Sequence, residues 1–178
     1  QAASAGAPTL DIEPGAPDAI KAQLQVRPAF LSDGADTERA WTSVRKFYEA
    51  RDYAPAWIDG RRPTPQLDQL LEVLQSAGDE GLDPAMYAAP ALLARREDAS
   101  RGRFSRDPFE RDDIDDVDVW STWAFMAYVA DAANGVTDPK RISSTWEMKP
   151  PPVDPLKLLN TALSEGSVKD AVADMAPK

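Results

Sequence analysis

Cysteine and histidine are both absent from the 178 residues of this sequence. Without cysteine there is no thiol nucleophile, no disulfide and no thiolate-ligated zinc or iron–sulfur site. Without histidine the chain lacks the commonest general base and the commonest metal ligand of proteins. Catalysis would have to rely on carboxylates, serine, lysine, tyrosine or arginine. We therefore expect no cofactor and no metal, and we favour a non-enzymatic role for this chain.

Positive charge and long apolar runs are also scarce. Twenty Lys and Arg face thirty Asp and Glu, and the formal net charge of -10 opposes binding to a phosphate backbone or to an anionic membrane surface. No apolar run approaches the roughly 20 residues that span a bilayer. We therefore expect neither a nucleic-acid partner nor a membrane span. The small residues of QAASAGAP at the start are typical of a mature chain after export, although an arbitrary chain boundary would look the same.

The residues that are present favour one helical core. Hydrophobic residues make up 43% of the chain, including five Trp, which is enough for a folded domain of this length. Apolar side chains recur at three- and four-residue spacing, and no alternating strand of useful length occurs. We predict an all-α, compact bundle of about five or six helices over residues 37–178. Residues 1–36 are predicted to form a flexible or extended leader that includes a short amphipathic segment at 18–25.

Start and stop signals place the helices along the chain. Thr64-Pro65, Asp83-Pro84 and Asp154-Pro155 each join an N-cap acceptor to a proline at the first helical position, where its missing N–H is not needed. Gly166 lies where a helix should end. The predicted helices cover 37–51, 65–77, 84–96, 111–133, 155–165 and 167–175. The charged segment at about 95–113 is predicted to be a long exposed loop, either facing a partner or disordered.

Two short motifs raise the question of chemistry. Ser43 and Lys46 have the S-x-x-K spacing of penicillin-recognising acyl enzymes, in which one helical turn brings the amine to the hydroxyl. Lys-Thr-Gly is absent, so we interpret both residues as part of a solvated helix face. The acidic run 112–118 suggests a metal loop, yet Val117 and Asp118 stand where an EF-hand needs an oxygen ligand and a glycine. We prefer to interpret these acids as complementing a helix dipole.

Glu80 is the one sensible candidate for carboxylate chemistry. It lies in SAGDEGLDPAMY, residues 76–87, and a single protonated Glu can act as the general acid in glycan cleavage. The alternative is structural, with a helix that ends at Gly78, Leu82 in the core and Asp83 as the cap of the next helix. We prefer the structural interpretation and keep glycan cleavage by Glu80 as an alternative.

Aromatic residues raise a second alternative. The stretch FYEARDYAPAWIDG, residues 47–60, ends a helix with Tyr53 and Trp57 close behind it. Such rings either fold back to seal a core or present an apolar face to a ligand, and we favour the core for Trp57. In the alternative the chain is an interaction protein, and Trp57, Trp120 and Trp123 line a groove for a partner.

Four stretches, taken in order, resemble one family. They are FYEARDYAPAWIDG (47–60), LLEVLQSAGDEGLDPAMY (70–87), DVDVWSTWAFMAYVADAANGVTDPKRI (116–142) and DPLKLLNTALSEGSVKDAVADMAP (154–177). Their order and spacing are similar to the N-terminal scaffold domain of large periplasmic murein L,D-transpeptidases, over about residues 40–177. The motifs AGDEGLDPAMY and YVADAANGVTDP carry most of this resemblance.

The resemblance implies a helical, non-catalytic scaffold in the periplasm. In the complete enzymes it precedes a peptidoglycan-binding module and a catalytic domain with a Ser/Thr-His-Gly-Cys motif, which joins stem peptides through their diaminopimelate residues. This chain has neither His nor Cys, so no catalytic residue carries over. The implied partners are those downstream modules, with peptidoglycan as a further candidate. We expect a fragment of such an enzyme; a free-standing adaptor protein of the cell envelope is the alternative.

Overall fold

A computed structural model describes residues 17–28, 31, 34–60, 62–100, 112–134 and 153–175, with the side chains of all of these except 99–100, 112–115 and 134. Within these ranges the chain is almost entirely helical, as the spacing of its apolar residues predicts. The α-helices are α1 (Pro17–Gln23), α2 (Ala35–Glu49), α3 (Pro65–Ser76), α4 (Ala89–Ser100), α5 (Asp112–Asn134), α6 (Pro155–Glu165) and α7 (Val168–Ala173). Two 3₁₀ turns, Ala77–Glu80 and Pro84–Tyr87, link α3 to α4.

Helix α5 is the central element of the bundle. Helices α1, α2, α3, α4 and α6 all pack against it. Between Val117 and Val129 nearly every α5 side chain is buried, Trp120 and Ala127 being half-buried. A helix that is apolar on one face would lie at the surface, whereas one that is buried on all sides must lie inside the core. Apolar residues therefore cover this part of α5 on all sides and do not form the single face of a surface helix.

The surrounding helices each place one apolar stripe on α5 or on a neighbour. On α2 the buried residues recur at the predicted three- and four-residue spacing, and the stripe on α3 also matches its prediction. The buried stripe residues are Trp41, Val44, Phe47 and Tyr48 on α2, and Leu67, Leu70, Leu71 and Leu74 on α3. Helices α6 and α7 close the bundle through Leu159, Ala162, Val168 and Ala171. The all-α fold class is thus confirmed.

The proline signals act as predicted at two of the three described helix starts. Asp83 Oδ1 accepts a hydrogen bond from the Ala85 N–H at 2.9 Å, and Asp154 Oδ1 accepts from the Leu156 N–H at 3.0 Å. Thr64 precedes Pro65 but does not cap α3 with its side chain. Its hydroxyl donates instead to the Trp57 carbonyl at 3.0 Å.

Two predicted segments differ in part from the structure. In the expected leader, residues 17–23 form α1, the amphipathic segment predicted at 18–25, and Ile20 is buried against the core. The segment 95–113 was predicted to be a loop, but α4 extends to Ser100 and α5 begins at Asp112, and Arg96 of the extended α4 pairs with Asp68 of α3. Residues 101–111 lie outside the described part of the chain.

A short hairpin connects α2 to α3. Strands β1 (Ile58–Asp59) and β2 (Arg62–Pro63) pair antiparallel, and the Thr64 N–H extends the pairing by donating to the Trp57 carbonyl at 2.9 Å. Gly60 has a φ of 60° at the turn, a conformation that glycine adopts without steric penalty.

Among the described residues, no helix is both long enough and apolar enough to cross a membrane.

Candidate functional site

The turn that follows α2 has a strained backbone. Asp52 and Tyr53 have φ values of 51° and 60°, and each such left-handed residue other than glycine costs on the order of 1 kcal/mol. The chain reverses here because the Tyr53 N–H donates to the Tyr48 carbonyl at 2.8 Å. Arg51 then holds the turn from outside, donating to the carbonyls of Ala54 at 3.3 Å and Pro55 at 3.0 Å.

The carboxylate of Asp118 holds the same turn from inside. Asp118 lies in α5 and is 1% exposed. Its Oδ2 accepts the main-chain N–H of Trp57 at 2.7 Å, and its two oxygens share the N–H of Ala56 at 3.0 and 3.1 Å. These two N–H groups belong to a turn and have no helical partner, so the carboxylate supplies the acceptor that they require.

Two hydroxyl groups complete a buried ring of hydrogen bonds, which we call the Asp118 cluster (Tyr48, Trp57, Asp118 and Thr122). Tyr48 Oη lies 2.5 Å from Asp118 Oδ1 and 2.8 Å from Thr122 Oγ1. The indole Nε1 of Trp57 donates to Thr122 Oγ1 at 2.8 Å. All groups are satisfied when Thr122 donates to Tyr48 and Tyr48 donates to Asp118. The cluster therefore joins α2, the turn and α5 through a continuous set of hydrogen bonds.

Burial dominates the electrostatics of the Asp118 cluster. It raises the pKa of the Asp118 carboxyl, while the hydrogen bonds from Tyr48, Ala56 and Trp57 partly offset that shift by stabilising the charged form. Burial and the neighbouring carboxylate together raise the pKa of the Tyr48 phenol. Such shifts often mark catalytic groups, but both carboxylate oxygens here are occupied and closed to solvent. The cluster is therefore suited to holding structure.

Two further hydrogen bonds join the segment 77–88 to α5. Tyr128 donates to Glu80 Oε2 at 2.9 Å, and Tyr87 donates to Asp131 Oδ2 at 2.9 Å. The two tyrosine rings pack edge to face with their centroids 5.6 Å apart, an arrangement that aromatic pairs prefer. Desolvation, followed by the hydrogen bond to a carboxylate, raises the pKa of both phenols. These contacts fix both 3₁₀ turns against the central helix.

The three candidate tryptophans differ in how much of each side chain is exposed to solvent. Trp57 is 0% exposed and Trp123 is 7% exposed. Both rings complete the core, which confirms the predicted burial of Trp57, and the partner groove of the alternative stays a prediction. Trp120 is half-buried, and the guanidinium of Arg95 lies 4.6 Å from the centre of its ring. Arg95 covers the ring, as expected for a cation–π contact.

Glu80 is exposed at the end of the first 3₁₀ turn, and Tyr128 holds its carboxylate. The turn through Gly81 and the burial of Leu82 agree with the structural interpretation of this segment. Nothing in these contacts bears on glycan cleavage, which stays a prediction.

In the S-x-x-K motif, the Ser43 hydroxyl donates to the Arg39 carbonyl at 3.1 Å. That contact agrees with an ordinary helix face.

Asp118 is the important residue that the sequence interpretation misassigned. We grouped it with the acids of the first turn that complement the helix dipole, yet it lies in the seventh position of α5 and is buried. The available signal was its context, since Asp118 and Thr122 are four residues apart within a run of α5 residues whose only other polar member, from Val117 to Val129, is Ser121, apart from the Tyr128 hydroxyl. A lone acid inside a helix buried on all sides must find hydrogen-bond donors.

An open groove of about 870 Å³ lies beside the strained turn. Helix α6 forms one wall, and the turn and the start of α3 form the other. Arg51, Gln66, Lys157 and Asn160 are among its lining residues. We call it the α6 groove. Within the described part of the chain, no group of three acidic side chains is placed to hold a metal ion.

The fold and the Asp118 cluster define an all-helical structural domain with its prominent polar groups bonded to one another. The Scaffold domain family matches residues 42–178, and the chain belongs to this family. No curated protein and no solved structure matches the chain. The family description indicates a non-catalytic role in which the domain interacts with other modules.

Proposed function

We propose that this chain is the non-catalytic scaffold domain of a peptidoglycan L,D-transpeptidase. In this proposal it is located in the periplasm and holds a catalytic module and a glycan-binding module in register during cell-wall cross-linking. The observation that carries the proposal is the family match over residues 42–178, which contains the four stretches that resemble these enzymes. The absence of Cys and His agrees with a catalytic nucleophile that resides in another module.

The Asp118 cluster supports the mechanical part of this proposal. A scaffold must keep its surface in one geometry while its partners act, and a buried cluster whose polar groups are all hydrogen-bonded favours a single packing arrangement. Asp118 and Trp57 join segments 61 residues apart in the sequence. Tyr87 and Tyr128 likewise hold the 3₁₀ turns against α5. Surfaces built on these segments therefore keep their relative positions.

The first test is to determine the coding sequence that follows Lys178 in the gene. The proposal expects a Ser/Thr-His-Gly-Cys motif downstream. A stop codon directly after Lys178 would overturn the transpeptidase assignment and favour the free-standing envelope adaptor.

The second test measures cross-linking of tetrapeptide stem substrates by liquid chromatography and mass spectrometry. We expect no cross-linked product from the isolated chain, product from the complete parent protein, and much less product when residues 42–178 are deleted from it. An Asp118→Ala variant of the parent should lose activity in parallel with its loss of folded structure, and the exposed Asp79→Ala should not. Product from the isolated chain would contradict the proposal.

A further inference from the structure

The α6 groove has the dimensions of a site for a short extended peptide. Its volume of about 870 Å³ lies within the range of ligand sites in proteins. The α6 wall runs from Asp154 to Ser164, a distance of about 15 Å at the rise of an α-helix. An extended chain advances about 3.3 Å per residue, so four or five residues match this length.

Two cations line the α6 groove without a carboxylate partner. Lys157 is exposed and forms no ion pair with any residue that the structure describes. Arg51 donates to two carbonyl oxygens and lies 5.0 Å from the centre of the Phe47 ring, so its guanidinium is fixed in place by neutral groups. Five other described cations are paired with carboxylates, in Arg27–Glu38, Arg39–Asp36, Arg95–Asp116, Arg96–Asp68 and Lys169–Glu72, whereas others, such as Arg45 and Lys46, have no ion pair with a described residue.

Negative charge inside the α6 groove is limited and already engaged. Asp154 is the one carboxylate among the described lining residues, and its Oδ1 accepts the N–H groups of Leu156 and Lys157. The buried Asp118 lies behind the wall and interacts with Arg51 electrostatically, but its oxygens are occupied by the Asp118 cluster. The groove is thus locally cationic on a chain whose net charge is -10.

The remaining lining groups suit a peptide main chain. Gln66, Asn160 and Thr161 line the groove, and their side chains make no hydrogen bond to any described residue, so amide and hydroxyl groups face the space. Such groups can pair with the N–H and C=O groups of an extended chain. Leu156 and Leu163 add apolar surface. None of the described lining residues is aromatic, which disfavours a sugar ring as the occupant because no ring is available to stack on it.

We propose that the α6 groove binds an extended peptide of four or five residues that carries carboxylate side chains. Arg51 and Lys157 contact the carboxylates, and Gln66, Asn160 and Thr161 contact the main chain. This site does not depend on the transpeptidase assignment, because the groove and its charges are the same in any parent protein. Binding would add an interaction surface to the domain without a catalytic step.

The test is a titration of the ¹⁵N-labelled 178-residue chain with the blocked pentapeptide Glu-Glu-Ala-Glu-Glu, followed by amide chemical shifts. Successive residues of an extended chain point to opposite sides, so this peptide offers carboxylates both to the wall with Lys157 and to the wall with Arg51. We expect saturable shifts at residues that line the groove. Lys157→Gln should raise Kd about threefold, in the range of exposed ion pairs. Replacing every Glu of the peptide by Gln should raise Kd by more than that.

Lys46→Gln is the matched control, since it removes an exposed lysine that does not line the groove. It should leave Kd unchanged. Arg51→Gln should also weaken binding, but Arg51 holds the strained turn, so the Lys157 variant decides the outcome if the Arg51 variant unfolds. The proposal fails if the shifts do not saturate, if the Gln peptide binds with the same Kd, or if the two lysine variants behave alike.

Discussion

The main-chain N–H of Trp57 donates to the carboxylate of Asp118 over 2.7 Å, and both residues are buried. This bond joins a strained turn to the middle of the central helix. A buried carboxylate without donors would be strongly unfavourable, and so would a buried N–H without an acceptor. Each residue therefore depends on the other, and the pair explains why an acid is found in the core.

Replacement of Asp118 by alanine should be severely destabilising. It leaves the N–H groups of Ala56 and Trp57 without their acceptor and removes the partner of the Tyr48 hydroxyl. Each unsatisfied buried group costs about 1–3 kcal/mol, so we expect a loss of about 3 kcal/mol or more. Urea unfolding followed by circular dichroism measures this change.

Two variants control this experiment. Asp118→Asn keeps one oxygen for the turn N–H groups and should cost less than Asp118→Ala. Asp79 is exposed, so Asp79→Ala should change the free energy of unfolding by less than about 0.5 kcal/mol. Equal stabilities of Asp118→Ala and Asp79→Ala would show that the cluster contributes nothing.

The stability of the wild type should rise relative to Asp118→Asn as the pH falls. Burial raises the native pKa of the Asp118 carboxyl, whereas the pKa in the unfolded chain is about 3.9. Between these two values the native state binds more protons, so the free energy of unfolding falls as pH rises through the window and stays lower above it. Asn does not titrate and lacks this dependence. Urea unfolding of both proteins from about pH 7 to about pH 4 gives the difference; a constant difference would contradict the prediction.

The tyrosine contacts should be coupled energetically. Tyr87→Phe and Tyr128→Phe each remove one hydrogen bond to a carboxylate while keeping the packed rings, and we expect a loss of about 1 kcal/mol for each. Because the rings touch, the double variant should deviate from the sum of the single variants. A double-mutant cycle from urea unfolding measures the coupling; strict additivity would argue against it.

High pH tests the same two tyrosines. Their raised pKa values mean that the neutral phenol is favoured in the folded protein. Their contribution to stability is therefore complete below about pH 10, the ordinary tyrosine pKa, and is lost as pH rises above it. In a pH titration followed by near-ultraviolet absorbance, each Phe variant should lack one phenol that ionises above this value in the wild type. A titration of either residue at its ordinary value would contradict the prediction.

Replacement by alanine should destabilise the protein at Gly166 but not at Gly78. Gly166 ends α6 with a φ of 74°, so Gly166→Ala should cost about 1 kcal/mol through backbone strain. Gly78 does not have positive φ, and a Cβ there would meet no atom within 4 Å. Gly78→Ala should be neutral or stabilising by up to about 1 kcal/mol. Thermal unfolding of the two variants measures the contrast, and destabilisation of equal size would refute it.

The helices were predictable because their signals are local. The stripe of Trp41, Val44 and Phe47 shows the period of a helix, and Asp154-Pro155 with Gly166 delimits α6 to the residue. The boundary of the predicted loop at 95 was misplaced, because α4 continues through charged residues that pair with other helices, as Arg96 does with Asp68. Pairing between distant residues is not encoded in a local pattern.

The functional features were decided by contacts between distant segments. The burial of Trp57 was predictable, and the apolar surroundings of Asp118 indicate a need for hydrogen-bond donors, but only the contact of the turn with α5 shows that these two residues bond to each other. Arg51 and Lys157 face one groove because α6 packs beside the turn. Amino-acid order therefore dictated the helical class, most helix boundaries and the absence of thiol and imidazole chemistry. Tertiary packing decided which polar residues are buried and which face a shared groove, because desolvation and hydrogen bonding depend on neighbours that only the folded chain brings together.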